Sequence, residues 1–158
     1  MALFENQPDD VLYFSMNDIN EPMSRNSADA FLLDNRTWLT VEHYYQAMKF
    51  DTSEYQQKIL AAVDSDTARK LGNAKFKRKR ADFKKIRNTL MTRAIYTQAK
   101  THSEIKHRIL ETGDRKLVEN SQFDYYWGCG RDHRGDNNYG KILMGVRDKL
   151  NSEEQSSS

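Results

Sequence analysis

Cysteine is nearly absent from this chain: Cys129 is the single one in 158 residues. That excludes an intramolecular disulfide and a thiolate-built zinc site, and it suits a reducing cytoplasm. Paired histidines are lacking too. The four (His43, His102, His107 and His133) are scattered, and His102 and His107, five apart, fall on different helix faces, so no metal is expected. No apolar run approaches the roughly 20 residues that cross a bilayer. The first ten residues have neither the basic n-region nor the apolar h-region of a secretory signal. Net charge is small, +2, which argues against a protein whose main business is general polyanion binding. With 37% hydrophobic and 30% charged residues, one polar-surfaced domain with a sizeable core is expected.

What charge there is lies unevenly. Lys75 to Arg87 holds eight basic residues and one acid, Asp82, a local positive patch able to attract phosphate. Its first part, Lys75-Phe-Lys-Arg-Lys-Arg80, precedes a long helix, where cations oppose the macrodipole unless an anion sits there.

The segment from Trp38 to Phe50 organises the rest. Thr40 is a good N-cap ahead of a helical pattern running to about Phe50. At about 100° per residue, Val41, Tyr44, Tyr45 and Met48 share one side, and Glu42, Gln46 and Lys49 share the other. Glu42 and Lys49 are seven apart, too far for the usual i,i+4 pair. That polar face is either solvated or the wall of a site. A carboxylate beside a lysine can act as a base, an electrostatic stabiliser or an anchor, and a desolvated lysine can attack a carbonyl.

Around this segment, residues 1–10 are expected as a flexible lead-in and 11–150 as the domain. Val11–Ser15 reads as a strand and 17–30 as a loop. Residues 31–38 read as a hairpin about an Asp34-Asn35 turn. Further helices are expected over 54–63 with Ser53 as cap, from Ser65 or Asp66 to a C′ Gly72, over 81–101, and from a capping Ser103 to Gly113. Lys116–Glu119 is either a strand or a turn. Residues 123–140 have no helical period and contain four glycines; so long a loop usually serves a function. There Trp127 is either a platform for a flat ring or core, and Asn137 and Asn138 suit turns. The last helix opens at Gly140, and 151–158 read as a disordered tail. Cys129 has only His133 near it in sequence and is not expected to be a nucleophile.

Several of these stretches resemble one known family. Thr37-Trp-x-Thr-x-Glu-His-Tyr-Tyr-Gln-Ala-x-Lys-Phe50, Leu71-Gly72, Lys116-Leu-Val-Glu119, Asp124-Tyr-Tyr-Trp-Gly128 and Asn137-x-x-Gly140-x-x-Leu-Met144 are similar, in this order, to motifs of the NADAR (YbiA-like) family. The likeness covers about residues 11–150. It implies a mainly α, compact single multihelical domain with a few short β-strands near the N-terminus. It also implies an N-glycosidase, needing no cofactor, that cleaves between ribose C1 and a base. Two substrate classes follow from the family: ribosylamino-pyrimidine phosphates of riboflavin biosynthesis, or ADP-ribosylated guanine in nucleic acid. A module that binds ADP-ribose or nucleic acid without cleaving it is the alternative.

Carried onto this sequence, the resemblance makes Glu42 and Lys49 the expected catalytic residues. It puts Trp38, Gln46, Ser24, Phe83, Asp124, Trp127, Gly128 and Asn137 at the substrate. Trp127 would stack on the base, Asp124 and Asn137 would bind sugar hydroxyls or orient their loop, and the basic segment would meet phosphates. Three positions depart from the family pattern: Phe83 where Trp can stand, Cys129 where Asp can stand, and Ser24-Arg25-Asn26 for a Ser-Asn-Phe motif.

Overall fold

The structure, a computed structural model, describes residues 10–157. The greater part of the expected lead-in, residues 1–9, lies outside the described residues. In chain order the elements are β1 (Val11–Phe14), β2 (Phe31–Leu33), β3 (Arg36–Trp38), α1 (Val41–Ala47), α2 (Ser53–Leu60), α3 (Ser65–Gly72), α4 (Phe83–Thr101), α5 (Ser103–Glu111), β4 (Lys116–Glu119) and α6 (Asn138–Ser156). The fold is thus mainly helical with few short strands, as expected. It resolves into two compact units, Arg25–His102 and Met1–Ser24 with Ser103–Ser158.

The unit spanning 25–102 begins with the β2–β3 hairpin, antiparallel with Phe31 opposite Trp38 and Leu33 opposite Arg36. Asp34 and Asn35 both adopt positive φ, 53° and 65°, the conformation that two-residue hairpin turns require and that Asp and Asn tolerate. Asp34 then works as a clamp. Its carboxylate accepts from the Tyr44 hydroxyl at 2.8 Å and pairs with Arg93 of α4 at 2.6 Å. Helix α1 lies against α2, α3 and α4, and every one of its residues is buried. Thr40 caps it, accepting from the His43 amide at 3.1 Å. The His43 ring reaches the Ala62 carbonyl through Nε2 at 3.0 Å, so Nε2 carries the proton and Nδ1 accepts from the Thr40 hydroxyl at 2.7 Å. Burial holds this histidine below its usual pKa, and its role is to lock the helix start.

Several boundaries differ from expectation: α1 ends at Ala47 rather than near Phe50, α4 starts at Phe83 rather than 81, and α6 starts at Asn138 rather than Gly140. Helix α2 starts at Ser53 with Thr52 as its N-cap residue, whose side chain makes no capping bond. Helix α3 starts at Ser65, one of the two expected starts, and is capped by Asp64, which accepts from the Thr67 amide. Gly72 is the last residue of α3 rather than a left-handed C′ residue. It is glycine for space, since a Cβ there would stand 1.9 Å from Gln46 Oε1.

In the other unit β1 and β4 run parallel, Val11 opposite Lys116 and Phe14 opposite Glu119, and α6 packs on β4 and on α5. Gly113, at φ 66°, ends the α5 region. The Glu119 carboxylate, fully buried, accepts the Met16 amide at 2.9 Å and the Ser121 amide at 3.0 Å. Asn137, left-handed at φ 52°, accepts from the Glu119 amide and donates to the Leu117 carbonyl, both at 2.9 Å. It thereby fixes β4 to the start of α6. The expected disordered tail is instead helical through Ser156, with Glu154 paired to Lys106 of α5. A polar sequence is stable as helix here because it continues a helix already nucleated and docked, so no new nucleus is needed.

Candidate functional site

Helix α1 presents Glu42 and Gln46 on one face, and Lys49, two residues past its end, follows on the same side, but that face is not solvated. Helix α3 covers it. Arg69 lies 3.6 Å from Glu42 Oε1, Gly72 seats the Gln46 amide, and Asn73 accepts from Lys49 Nζ at 2.9 Å. Arg69, Gly72 and Asn73 thus meet Glu42, Gln46 and Lys49 in the same chain order. Arg25 Nε adds a second cation 3.1 Å from Glu42 Oε2, and Gln46 Nε2 donates to Glu42 Oε1. Glu42 has no exposed surface. Its charge is compensated by two guanidiniums that are themselves partly exposed, 12% and 28%.

Lys49 is different. It reaches a cavity of about 360 Å³ walled by Tyr45, Phe83, Ala81 and four further cations, Lys79, Arg80, Lys84 and Arg87. Its Nζ lies 5.6 Å from the Tyr45 ring centre and 5.9 Å from that of Phe83. The side chain is only 6% exposed. Burial, then the charges of Lys79, Arg25 and Arg69, push its pKa down to about 8, against the opposing pull of Glu42. The Arg80 amide donates to the Lys49 carbonyl at 2.7 Å, which ties the basic segment to the end of α1 and brings Lys79 and Arg80 to the cavity wall. Among the described residues no carboxylate lines this cavity. The arrangement suits an anionic ligand with a flat or apolar part against the two rings.

The other residues singled out in the sequence have these places. Phe83 lines the cavity. Gln46 is buried in the α1–α3 seam and does not reach it. Trp38 is fully buried, packed edge-on against Tyr44 with its Nε1 donating to the Leu33 carbonyl at 2.9 Å; it is hairpin core, not a ligand contact. Ser24, in the other unit, donates its hydroxyl to the Met16 carbonyl at 2.7 Å and is buried. Asp124 Oδ1 accepts the Tyr126 and Trp127 amides at 3.0 and 2.8 Å, so of its two predicted roles it performs loop orientation, as Asn137 does. Trp127 is buried, edge-on to Tyr126. Gly128 leaves room for Glu119, whose Oε1 would lie 2.5 Å from a Cβ there. Cys129 is buried, its thiol directed at the Gly130 carbonyl.

Sequence reading did not foresee Arg69 or Asn73. Their place opposite the polar face of α1 shows only once the two segments are known to face each other, and no local pattern carries it. Among the described residues no three His, Cys, Asp or Glu side chains gather as a metal site, and no helix is long and apolar enough to cross a membrane.

A buried helix that delivers an amine to a cationic, aromatic-walled cavity marks a small-ligand site. Comparison with known proteins gives it a lineage. The family model described as the NADAR domain matches residues 3–151, and the chain belongs to the NADAR family. It is 40% identical over 116 residues to an N-glycosidase of Nostoc punctiforme, covering 72% of this chain and 74% of that one. It is 31% identical over 140 residues to the N-glycosidase YbiA of Escherichia coli, covering 89% and 88%. A riboflavin biosynthesis protein of Vibrio vulnificus is 39% identical over 113 residues, covering 72% of this chain and 31% of its own length. The solved NMR structure of the Escherichia coli protein YbiA superposes with a TM-score of 0.84, covering 94% of this chain and 89% of that one.

Proposed function

We propose that this chain is an N-glycosidase, a hydrolase that cleaves the bond between ribose C1 and a base, and that Lys49 is the residue that attacks C1. The observation that carries the reading is the Lys49 amine, desolvated and held near pKa 8, at the wall of a cavity whose other cations suit a phosphorylated sugar. The names of the relatives agree with it.

The chemistry follows from that amine. With Nζ unprotonated, its electron pair forms the C1–Nζ bond, and the C1–base bond breaks with its pair going to the base, which takes up a proton. Nζ then loses a proton to the ring oxygen as the bond from C1 to that oxygen breaks, its pair going to the oxygen, and the nitrogen pair closes a protonated imine. Water then adds to C1 and expels the amine, so the net change is hydrolysis. The phosphates sit against Lys79, Arg80, Lys84 and Arg87, and the sugar or base lies on Tyr45 and Phe83. Glu42 acts from behind the amine as a fixed negative charge. It holds Arg25 and Arg69 in place and favours the positive charge that grows at C1 and on Nζ.

Two substrate classes remain in view, a ribosylamino-pyrimidine phosphate and an ADP-ribosylated guanine carried on nucleic acid. Phe76 favours the second. Its side chain is 99% exposed between Lys75 and Lys77, in the segment that supplies Lys79 and Arg80 to the cavity. A bare ring among cations is the composition of a stacking platform for single-stranded nucleic acid.

The test is release of free base at sub-stoichiometric protein from both substrates, with wild type, Glu42→Gln and Lys49→Met. Borohydride should trap a covalent sugar adduct on wild type and not on Lys49→Met. Glu42→Gln should lose a factor of about 10² or more. A protein that only saturates and never turns over is a reader, and the enzyme reading falls. Trapping absent in an active wild type removes the imine. Phe76→Ala should weaken cleavage of an oligonucleotide substrate and leave the small one unchanged; equal effects on both would remove the nucleic-acid preference.

A further inference from the structure

We propose that Asn73 is the positioning residue for the Lys49 amine: its side-chain carbonyl takes one N–H of Nζ and so aims the remaining electron pair into the cavity. The inference rests on the reading of Lys49 as the attacking amine.

The geometry is specific. Lys49 leaves α1 just past its last residue, where a long side chain has many rotamers. The residue is 6% exposed, so a bond to the wrong partner would turn its amine away from C1. Asn73 is the residue that closes α3, its own amide bonded back to the Arg69 carbonyl at 3.0 Å, so its side chain projects from an anchored backbone. The Asn73 Oδ1 to Lys49 Nζ distance is 2.9 Å, an ordinary strong bond. Two residues before it, Leu71 gives its carbonyl to the Tyr55 hydroxyl at 2.6 Å, which fixes the same turn from α2.

The neutrality of the acceptor is the second half of the inference. A carboxylate in this place would accept equally well, but it would hold Nζ as ammonium, which has no electron pair to give. An amide directs the amine without supplying a counter-charge. The charged groups that bear on Nζ from its surroundings are Lys79 of the basic segment, Arg25 and Arg69, which all disfavour the ammonium, and Glu42, which favours it. Lys84 and Arg87 of α4 share the cavity wall and add positive charge. Within that balance Asn73 contributes direction, and the arginines and lysines contribute the free base.

Two variants test this on the full chain, with the rate of base release and of borohydride trapping followed from pH 6 to 10. Wild type should gain about tenfold per pH unit below a midpoint near pH 8 and level off above it. Asn73→Asp places an anion beside Nζ; an opposite charge this close moves a pKa by about 1–3 units, so the midpoint should move up by that amount, with most activity regained at high pH. Asn73→Ala removes the aim alone. It should lower kcat by about tenfold or more at an almost unchanged KM, with the midpoint at or below that of wild type. If wild type traps substrate but Asn73→Asp keeps the wild-type midpoint, the positioning role of Asn73 is wrong and Lys49 stands. If wild type neither traps nor titrates near pH 8, the Lys49 reading itself fails. Unfolding midpoints of both variants within a few degrees of wild type exclude misfolding, and Asn73→Asp recovering at high pH is a result that loss of structure does not produce.

Discussion

Substituting Gly72 by alanine sets two effects of opposite sign against each other, and the structure says which wins. Alanine is the better helix former by up to about 1 kcal/mol, less at the last residue of a helix. On propensity alone Gly72→Ala stabilises. Against this, the new Cβ would meet Gln46 at three atoms: Oε1 at 1.9 Å, Cδ at 2.8 Å and Cβ at 2.9 Å. An ordinary contact of 3.4 Å or more requires the amide to retreat by about 1.5 Å, in an interior packed as densely as a crystal. The amide end of a free glutamine can swing away cheaply. This one is buried and bonded to Glu42, and its Cβ moves only with the backbone of α1. Overpacking of this kind costs about 1–3 kcal/mol, and loss of a bond to a carboxylate about 1.5–3.

The expected net is a loss of about 2–5 kcal/mol, which for a chain of this length lowers Tm by about 4–20 °C. Thermal and urea unfolding followed by circular dichroism measure it. The assignment to Gln46 is checked in a Gln46→Ala background, where the amide is gone and only the Cβ contact remains. There Gly72→Ala should cost less than half as much, a coupling a double-mutant cycle reads directly. A Gly72→Ala protein as stable as wild type, or more so, would show that propensity decides. An equal cost in both backgrounds would show that the amide is not what fills the space.

Asn137→Ala removes an acceptor from the Glu119 amide and a donor from the Leu117 carbonyl, and it puts alanine at positive φ. With buried groups left unpaired, unfolding should come about 2–4 kcal/mol earlier in urea titration, with base release per folded molecule unchanged; a loss of turnover without a loss of stability would give Asn137 the ligand role after all. Glu42→Gln should shift the pH profile opposite to Asn73→Asp. Glu42 raises the Lys49 pKa, so its removal lowers the midpoint below about 8 and enriches the free amine at neutral pH, while the maximal rate falls. An upward shift would contradict the charge arrangement.

Much of this was legible in the chain because it depends on local rules. Thr40 ahead of an amphipathic run, the Asp34-Asn35 turn between apolar triplets, and the spacing of Glu42, Gln46 and Lys49 all act within a few residues. Gly72 and Gly128 share a packing role that the sequence does not announce. A glycine after a helix, or beside a tryptophan, suggests backbone freedom or access for a ligand. Here both are small because a distant side chain, Gln46 or Glu119, occupies the space, and no local pattern encodes that. Trp38, Ser24 and Asp124 carry side chains that bind ligands or bind the protein's own backbone equally well. Only the partner each one finds, the Leu33 or Met16 carbonyl or the amides of the turn at Trp127, decides between the two.

The buried polar face of α1 is the feature that stability alone does not explain. A buried ion pair seldom gains more than its desolvation costs, and well-packed apolar residues of similar volume often do as well or better. Three polar residues on a helix already buried on its other sides are therefore neutral to stability at best. They leave Glu42 Oε2 and Gln46 Oε1 without an aligned donor, which adds to the cost. What they achieve is local. They fix a negative charge and two guanidiniums around the stem of one lysine whose amine alone reaches the cavity, and they set how readily that amine loses its proton. An apolar seam between α1 and α3 would hold the helices together, yet it would leave Lys49 with only the cavity's cations to set its charge and no fixed anion behind it. The arrangement makes physical sense if the charge state of Lys49 is what the seam exists to control.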